Sequence, residues 1–282
     1  MTVRRERALV LGGGGLAGIA WLYGMLAGLA GRGVDLGSAD LVVGTSAGAS
    51  VGANLACGRD VEERYAVQLA PASDEIAVAT GPRLALRMMR AAVSGPRAAR
   101  DVRARIGRAA LRTETVDEPV RQAVIASRLG DLDWPQDTDL LVTAVDAHTG
   151  AFRAFGSADG VPLVTAVAAS GAVPGVWPPV TALGTRWVDG GVRSSANADL
   201  AAGYARVVVL APSAAGLGAM AKPSTQVEAL AATGMAALVT PDRAARRAFG
   251  RNVLDPATRP RAARSGRRQS AEVVDAVRAV WE

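Results

Sequence analysis

The chain has 282 residues, 50% of them hydrophobic and 21% charged, which excludes disorder throughout and leaves material for a sizeable core. A single cysteine, Cys57, and a single histidine, His148, exclude a disulfide framework, Cys-based zinc sites and His-rich metal centres. The net charge of +6 rests on 32 basic residues, Lys222 being the only lysine. With 4% aromatic residues there is no stacking platform for nucleic acid, so the charge reads as solvated surface or as a patch facing anionic lipid.

In chain order, Ala8–Leu11 is a short apolar run stopped by glycines, the pattern of a buried parallel strand, and Leu16–Ala30 follows as a buried helix. Leu41–Val43 and Ala47–Ala56 repeat the sequence of strand, tight turn and helix. Leu140–Val145 predicts a third strand, His148-Thr149-Gly150 a turn, and Phe152–Phe155 a pairing strand. Arg186–Val188 is a strand running into Asp189-Gly190-Gly191. Arg206–Leu210 is the last clear strand, and Ala271–Trp281 a closing amphipathic helix. This alternation is the grammar of an open, mostly parallel α/β sheet.

Two uncharged stretches imitate membrane segments. Ala8–Gly31 follows Arg4, Arg5 and Arg7, but Gly12–Gly15 breaks any continuous apolar helix; Gly160–Thr185 holds four prolines. Both read as buried interior, and the expectation is a cytoplasmic chain with no export signal and no transmembrane helix. Residues 60 to 130 form a helical insertion rich in arginine: Arg83, Arg87 and Arg90 lie one and two turns apart beside Leu84, Leu86, Met88 and Met89. Such a helix is either an ordinary surface helix or one that lies on an anionic membrane. The segment Arg243–Arg268, with Pro256 and Pro260, reads as an irregular excursion.

Gly44-Thr45-Ser46-Ala47-Gly48 is a G-x-S-x-G between a predicted strand and a predicted helix, the setting of a strained turn that exposes a nucleophilic serine. Gly13–Gly18 also satisfies G-x-G-x-x-G. A dinucleotide site asks for an acid at the end of the second strand, however, and the nearest, Asp40, precedes that strand. A glycine run suits an oxyanion hole instead, because its amides can turn toward one point. The order His148 before Asp189 does not fit an α/β-hydrolase triad, and His148 sits in a turn. The base serving Ser46 is therefore read as a carboxylate, and Asp189 at a strand end is the best placed.

The glycine run, the G-T-S-A-G and the D-G-G, in that order, resemble the patatin-like phospholipase family. The likeness extends to Thr143–Asp146 and to the serine- and proline-rich run Ala168–Val180, and so covers about residues 7 to 212. It implies a three-layer α/β/α fold with a central mostly parallel sheet, one domain over 1–282, a helical insertion at about 60–130 and a less clearly matched tail at 213–282. It also implies a lipid acyl hydrolase acting on a lipid or other acyl ester, with Ser46 as nucleophile, Asp189 as base and Gly13, Gly14 and Gly15 as oxyanion hole. Gly18, Gly44, Gly48, Gly190 and Gly191 are its motif glycines. No metal or organic cofactor and no nucleic acid is implied, and the Arg-rich insertion is the expected peripheral contact with an anionic membrane. The family usually has Arg or Lys where this chain has Ala17, which keeps a lipid-binding protein with little turnover as the second reading.

Overall fold

Strands that are apolar on both faces need cover on both sides, and this requirement sets the architecture. The computed structural model describes residues 6–71, 75–76, 82–95, 97–214 and 220–282, and only the backbone of 82–85. Arg4, Arg5 and the side chains of Arg83 and Leu84 lie outside the described residues.

The chain opens with β1 (Arg7–Leu11), α1 (Gly15–Ala30), β2 (Leu41–Gly44) and α2 (Ala47–Ala56). The insertion is helical: α3 (Val61–Leu69), α4 (Pro82–Val93), α5 (Ala99–Leu111) and α6 (Glu118–Leu129). Then come β3 (Asp139–Asp146), β4 (Phe152–Phe155), α7 (Leu163–Ser170), β5 (Val180–Ala182), β6 (Thr185–Asp189) and β7 (Arg206–Leu210). The chain ends with α8 (Pro223–Ala231), β8 (Met235–Val239), α9 (Arg243–Phe249) and α10 (Arg259–Trp281).

The sheet is mixed. β3, β2, β1, β7 and β8 run parallel in that order, while β4 and β6 both pair antiparallel with β3, and β5 pairs antiparallel with β6. Alternate residues face opposite layers. Leu9, Leu11, Val42, Val208 and Leu210 join the core under α1, α2, α7 and α10, whereas Ala8, Val10, Val43, Val207 and Val209 join the core under α8 and the turn Ala198–Ala201. Helix, sheet and helix make the three layers.

The two membrane-like stretches lie inside. α1 is buried from Leu16 to Leu29, and Leu163 and Ala166–Ser170 of α7 are buried too. Among the described residues no helix is long and apolar enough to cross a membrane.

The C-terminal part differs from the sequence expectation. Arg206–Leu210 is not the last strand, since β8 extends the sheet by pairing with β7. The stretch expected to be irregular holds α9 and the first half of α10, which begins at Arg259 rather than Ala271; only 250–258 between them is irregular, with a short 3₁₀ turn at Pro256–Thr258. The prolines misled because Pro260 stands in the first turn of α10 and Pro256 in a short 3₁₀ turn, positions where a missing amide proton costs nothing.

α10 lies along α1 at close range. A Cβ on Gly24 would run into the Ala263 carbonyl, and one on Gly266 into the Trp21 carbonyl. Trp21 Nε1 donates to Gln269 Oε1 at 3.1 Å and Trp281 Nε1 to the Asp35 carbonyl at 2.8 Å, so both buried indoles are satisfied. Because the obstruction at Gly24 is backbone, no rotamer change relieves it. Gly24→Ala should therefore lose stability by about 1–3 kcal/mol, despite a helix-propensity gain of about 1 kcal/mol. The urea midpoint at unchanged m measures this, and a midpoint at or above wild type would mean that the helices separate freely.

Candidate active site

β3 has two edges, and β4 takes one of them by pairing Val142–Val145 with Phe155–Phe152. The other edge is shared. β2 occupies it as far as Gly44 opposite Val142, and β6 occupies it from Trp187 opposite Asp146 to Asp189 opposite Ala144. β2 runs with β3 and β6 against it, so their C-terminal ends point at each other, one β3 residue apart. That residue is Thr143. Ser46 leaves the end of β2 and Asp189 ends β6, so two residues 143 positions apart in the chain meet here.

Ser46 sits at φ 54° and ψ −113°, a left-handed backbone for a residue other than glycine. The small neighbours make this turn possible. A Cβ on Gly48 would strike the Leu11 carbonyl, and one on Gly44 would lie 2.6 Å from the Ala49 Cα. α2 begins at Ala47, so the positive end of its dipole lies at Ser46. The Ser46 amide donates to Ser170 Oγ at 2.9 Å, which ties the turn to the end of α7.

Asp189 is only 5% exposed. Burial pushes its carboxyl up to about 6; a hydrogen bond from the Ser46 side chain, the Gly191 amide at 2.7 Å and the positive charge of Arg121 act in the opposite direction and offset this only in part. The Asp189 amide donates to the Ala172 carbonyl at 3.0 Å, fixing the strand end. Gly190 is squeezed against Thr143, whose Oγ1 and carbonyl a Cβ would strike.

Beneath the pair is a polar cluster with no solvent contact. Thr45, Thr143 and Asn197 are fully buried, and the two threonine hydroxyls lie 2.8 Å apart. Asn197, itself at φ 54°, donates from Nδ2 to Thr45 Oγ1 at 3.0 Å, to the Ser194 carbonyl at 2.9 Å and to the Gly190 carbonyl at 3.3 Å. It thus joins the serine turn to the D-G-G turn.

The glycine run lies against the serine: a Cβ on Gly13 would be 3.3 Å from the Ser46 Cβ. Its members are not equivalent. The Gly13 amide donates to the Ser195 carbonyl at 2.8 Å and is engaged within the fold. Among the described residues the amides of Gly14 and Gly15 have no such partner, and both stand at the N-terminus of α1. Gly15 has φ +63°, which glycine adopts without penalty. Within the run, the amides left unengaged among the described residues are thus those of Gly14 and Gly15. Gly18 packs on Pro212, where a Cβ would lie 3.2 Å from its Cβ.

His148 is exposed in the turn between β3 and β4; its amide donates to Asp146 Oδ1 at 2.8 Å and its carbonyl accepts from Arg108. Among the described residues no group of His, Cys, Asp and Glu is placed to hold a metal ion. Ser46 opens into a cleft of about 30 Å³ lined by Gly15, Arg121, Arg128 and Trp177 among others. A larger one of about 290 Å³ shares its walls at Leu16, Ile19, Ser50 and Arg128.

Sequence reasoning assigned no role to Ser170, Asn197 or Arg121. Ser170 lay within the serine- and proline-rich run, and Asn197 carried no pattern at all. Arg121 had one: with Ile125 and Leu129 it makes an i, i+4, i+8 stripe, an arginine on an apolar helix face.

Two solved structures are similar to the chain at low identity. VipD from Legionella pneumophila is 15% identical with a TM-score of 0.45, over 97% of this chain and 67% of that one. The type III effector protein ExoU is 17% identical with a TM-score of 0.46, over 97% of this chain and 53% of that one, so the chain spans about half of ExoU. No curated protein matches. The family model for patatin-like phospholipase matches residues 9–202, more than half of the chain and the whole stretch from β1 past the D-G-G turn. The chain therefore belongs to the patatin-like phospholipase family, whose chemistry is lipid hydrolysis.

Proposed function

We propose that the protein is a lipid acyl hydrolase working through a Ser46–Asp189 dyad. The observation that carries the reading is the buried carboxyl of Asp189 beside a serine held at a strained turn. An ordinary aspartate, with a reference pKa near 3.9, is a poor base at neutral pH; one pushed up to about 6 is a competent one. That poise favours turnover over passive lipid binding. On the same reading residues 1–282 are one patatin-like domain, with α10 packed along α1.

Ser46 Oγ attacks the ester carbonyl while its proton passes to Asp189. The oxyanion accepts hydrogen bonds from the amides of Gly14 and Gly15, at the N-terminal end of α1, where each such donor is worth about 10²–10³ in rate. The tetrahedral adduct collapses, the C–O bond breaks, and the departing alcohol takes the proton from Asp189. Water then gives its proton to Asp189 and attacks the acyl–Ser46 ester. Collapse frees the fatty acid and returns the proton to Ser46.

The insertion supplies a route to the lipid surface. On α4, Leu86, Met89 and Val93 are 46%, 61% and 74% exposed and fall at i, i+3 and i+7, a single apolar stripe among Arg87, Arg90 and further arginines of α5. An apolar stripe with a basic surround suits an anionic lipid interface. Changing Leu86, Met89 and Val93 to Ser should lower the ratio of vesicle to soluble-ester activity about tenfold or more, and reduce co-sedimentation with anionic vesicles. An unchanged ratio would assign the stripe to something other than membrane docking.

Ser46→Ala and Asp189→Asn should each lower hydrolysis of a soluble ester by at least about 10²-fold, while His148→Gln keeps most of the activity. A folded His148→Gln protein that loses 10²-fold would replace the dyad with a different base.

The pH dependence has a definite sign. Only deprotonated Asp189 accepts a proton, so kcat/KM should fall about tenfold per unit below a midpoint near 6 and level off above it. Stability runs the other way. The folded-state pKa is raised from about 3.8 to about 6, so the contribution of this group is fully present below pH 4 and is lost as pH rises through 6. Asp189→Asn should therefore be more stable than wild type at pH 7.5, by on the order of 3 kcal/mol, and equal to it at pH 4. Thermal melts at the two pH values measure the difference, and a variant less stable at pH 7.5 would show that burial does not strain this carboxylate.

A further inference from the structure

α6 turns two arginines toward the Ser46 cleft, and their situations differ. Arg128 is spent: its Nε and Nη2 hold the Glu75 carboxylate at 3.0 and 2.6 Å. Arg121 is 4% exposed, and its guanidinium lies over the Trp177 ring at 3.9 Å from the centroid. Among the described residues neither its Nε nor its Nη1 has a hydrogen-bond partner. Burial first, then the like charge of Arg128, lower its pKa to about 9, against a partial opposing pull from Glu75 and Asp189. It therefore remains a cation at neutral pH.

Leaving buried donors of a charged group idle costs at least about 1–3 kcal/mol each. Its neighbours on the same stripe, Ile125 and Leu129, are apolar, and Arg121 acts on Asp189 only through its charge, which uses none of its hydrogen-bond donors. The backbone around it is well fixed: Glu118, one turn earlier on α6, accepts from the Thr181 amide at 2.8 Å and hydroxyl at 3.0 Å. The contact with the Trp177 ring holds the guanidinium in place without using any of its N–H donors. Arg121, Ser46 and Gly15 line one cleft. The glycine run itself brings no cation, because Ala17 is fully buried and uncharged.

We propose that Arg121 is a substrate-binding residue that holds the phosphate of a phosphate-bearing acyl ester beside the bond cleaved at Ser46. This deepens the hydrolase reading and rests on it. The unpartnered donors of a guanidinium held against Trp177 match paired phosphate oxygens, and a phosphate ester reaching Ser46 brings those oxygens into the same cleft. The chemistry is shared by phosphodiester lipids and by phosphate monoester lipids.

The test compares kcat/KM on three diacyl esters, a phosphodiester, a phosphate monoester and an uncharged one, each at the same low fraction in nonionic micelles so that surface charge is removed. Wild type should favour the phosphate-bearing esters, and whichever of the two is preferred identifies the source of the phosphate. In Arg121→Gln the ratio of phosphate-ester to uncharged-ester kcat/KM should fall about 10- to 150-fold, the effect of losing a hydrogen bond to a charged group. Arg121→Lys should recover part of it, as a point charge without the planar fork. Inorganic phosphate should inhibit wild-type hydrolysis of the uncharged ester competitively.

An equal fall on all three esters, with the pH midpoint displaced upward, would make Arg121 a positioning residue for Asp189 and overturn the proposal. No preference in wild type and no inhibition by phosphate would overturn it as well, even if Arg121→Gln fails to fold. Binding is read separately in Ser46→Ala, where a short-chain phosphate ester should raise the melting temperature and Arg121→Lys on that background should weaken the shift. If the esters resist hydrolysis but the shift appears, the hydrolase reading fails and the phosphate site stands. If hydrolysis occurs and the shift is absent, the reverse holds.

Discussion

Everything at this site depends on one edge of β3 being shared by two strands that arrive from opposite directions. Gly44 stops opposite Val142 and Asp189 stops opposite Ala144, leaving Thr143 alone between them. Two strand ends facing each other leave backbone groups without ladder partners, and buried groups of that kind must be satisfied otherwise. The polar cluster reaches both ends: the Thr143 hydroxyl bonds to the Gly44 carbonyl at the end of β2, and Asn197 Nδ2 to the Gly190 carbonyl just past β6 and to the Thr45 hydroxyl. The gap in the sheet is thus filled by a polar plug, and the serine and the carboxylate stand on it.

The same geometry explains the electrostatics. A carboxyl at the inner end of a strand, with sheet on one side and α7 on the other, is cut off from water, and its charged form is disfavoured. The compensating contacts, from Ser46, Gly191 and Arg121, are enough to keep it titratable near neutrality and too few to return it to an ordinary value. The strained Ser46 backbone belongs to the same arrangement. It is held by Gly44 and Gly48, which let α2 close on β1 and β2, and by Ser170, which takes the serine amide. Stability is given up at three neighbouring places, a strained φ, a buried carboxyl and an underused guanidinium, while α1, which lines the same cleft at its start, is held along its length by α10.

The insertion has two faces with different work. Its last helix, α6, looks inward and places Arg121 and Arg128 at the cleft; α4 looks outward with an exposed apolar stripe. Several arginines between them are used as clamps on backbone carbonyls: Arg103 on Gly150 at 2.8 Å, Arg105 on Ala91 at 3.0 Å, Arg108 on His148 at 2.8 Å. A high arginine count therefore hides several separate roles, and only burial and partners separate them.

Much of the fold was legible because its signals are local. Apolar runs of four and three residues ended by glycine marked β1 and β2, and α2, β4 and β7 have the bounds that the pattern gives. The serine turn was legible for the same reason: a strained strand-to-helix corner admits only small neighbours, and Gly44, Ala47 and Gly48 stand in sequence around Ser46. Where local signals conflict, the reading failed. Prolines and arginines over 243–268 looked irregular, although proline at a helix start is compatible with the helix that α1 then holds in place. What the sequence by itself determined is thus most of the elements up to β7 and the residue types able to do acyl chemistry, but not β8, α9 or the first half of α10. Only the tertiary structure decided that β2 and β6 meet on one edge, that burial lifts Asp189 toward neutrality, and that, among the described residues, Gly13 is engaged while the amides of Gly14 and Gly15 have no partner and Arg128 but not Arg121 is hydrogen-bonded to a carboxylate. Each of these is a matter of which groups exclude water from which others, and that is set by contacts between residues distant in the chain, which no local pattern records.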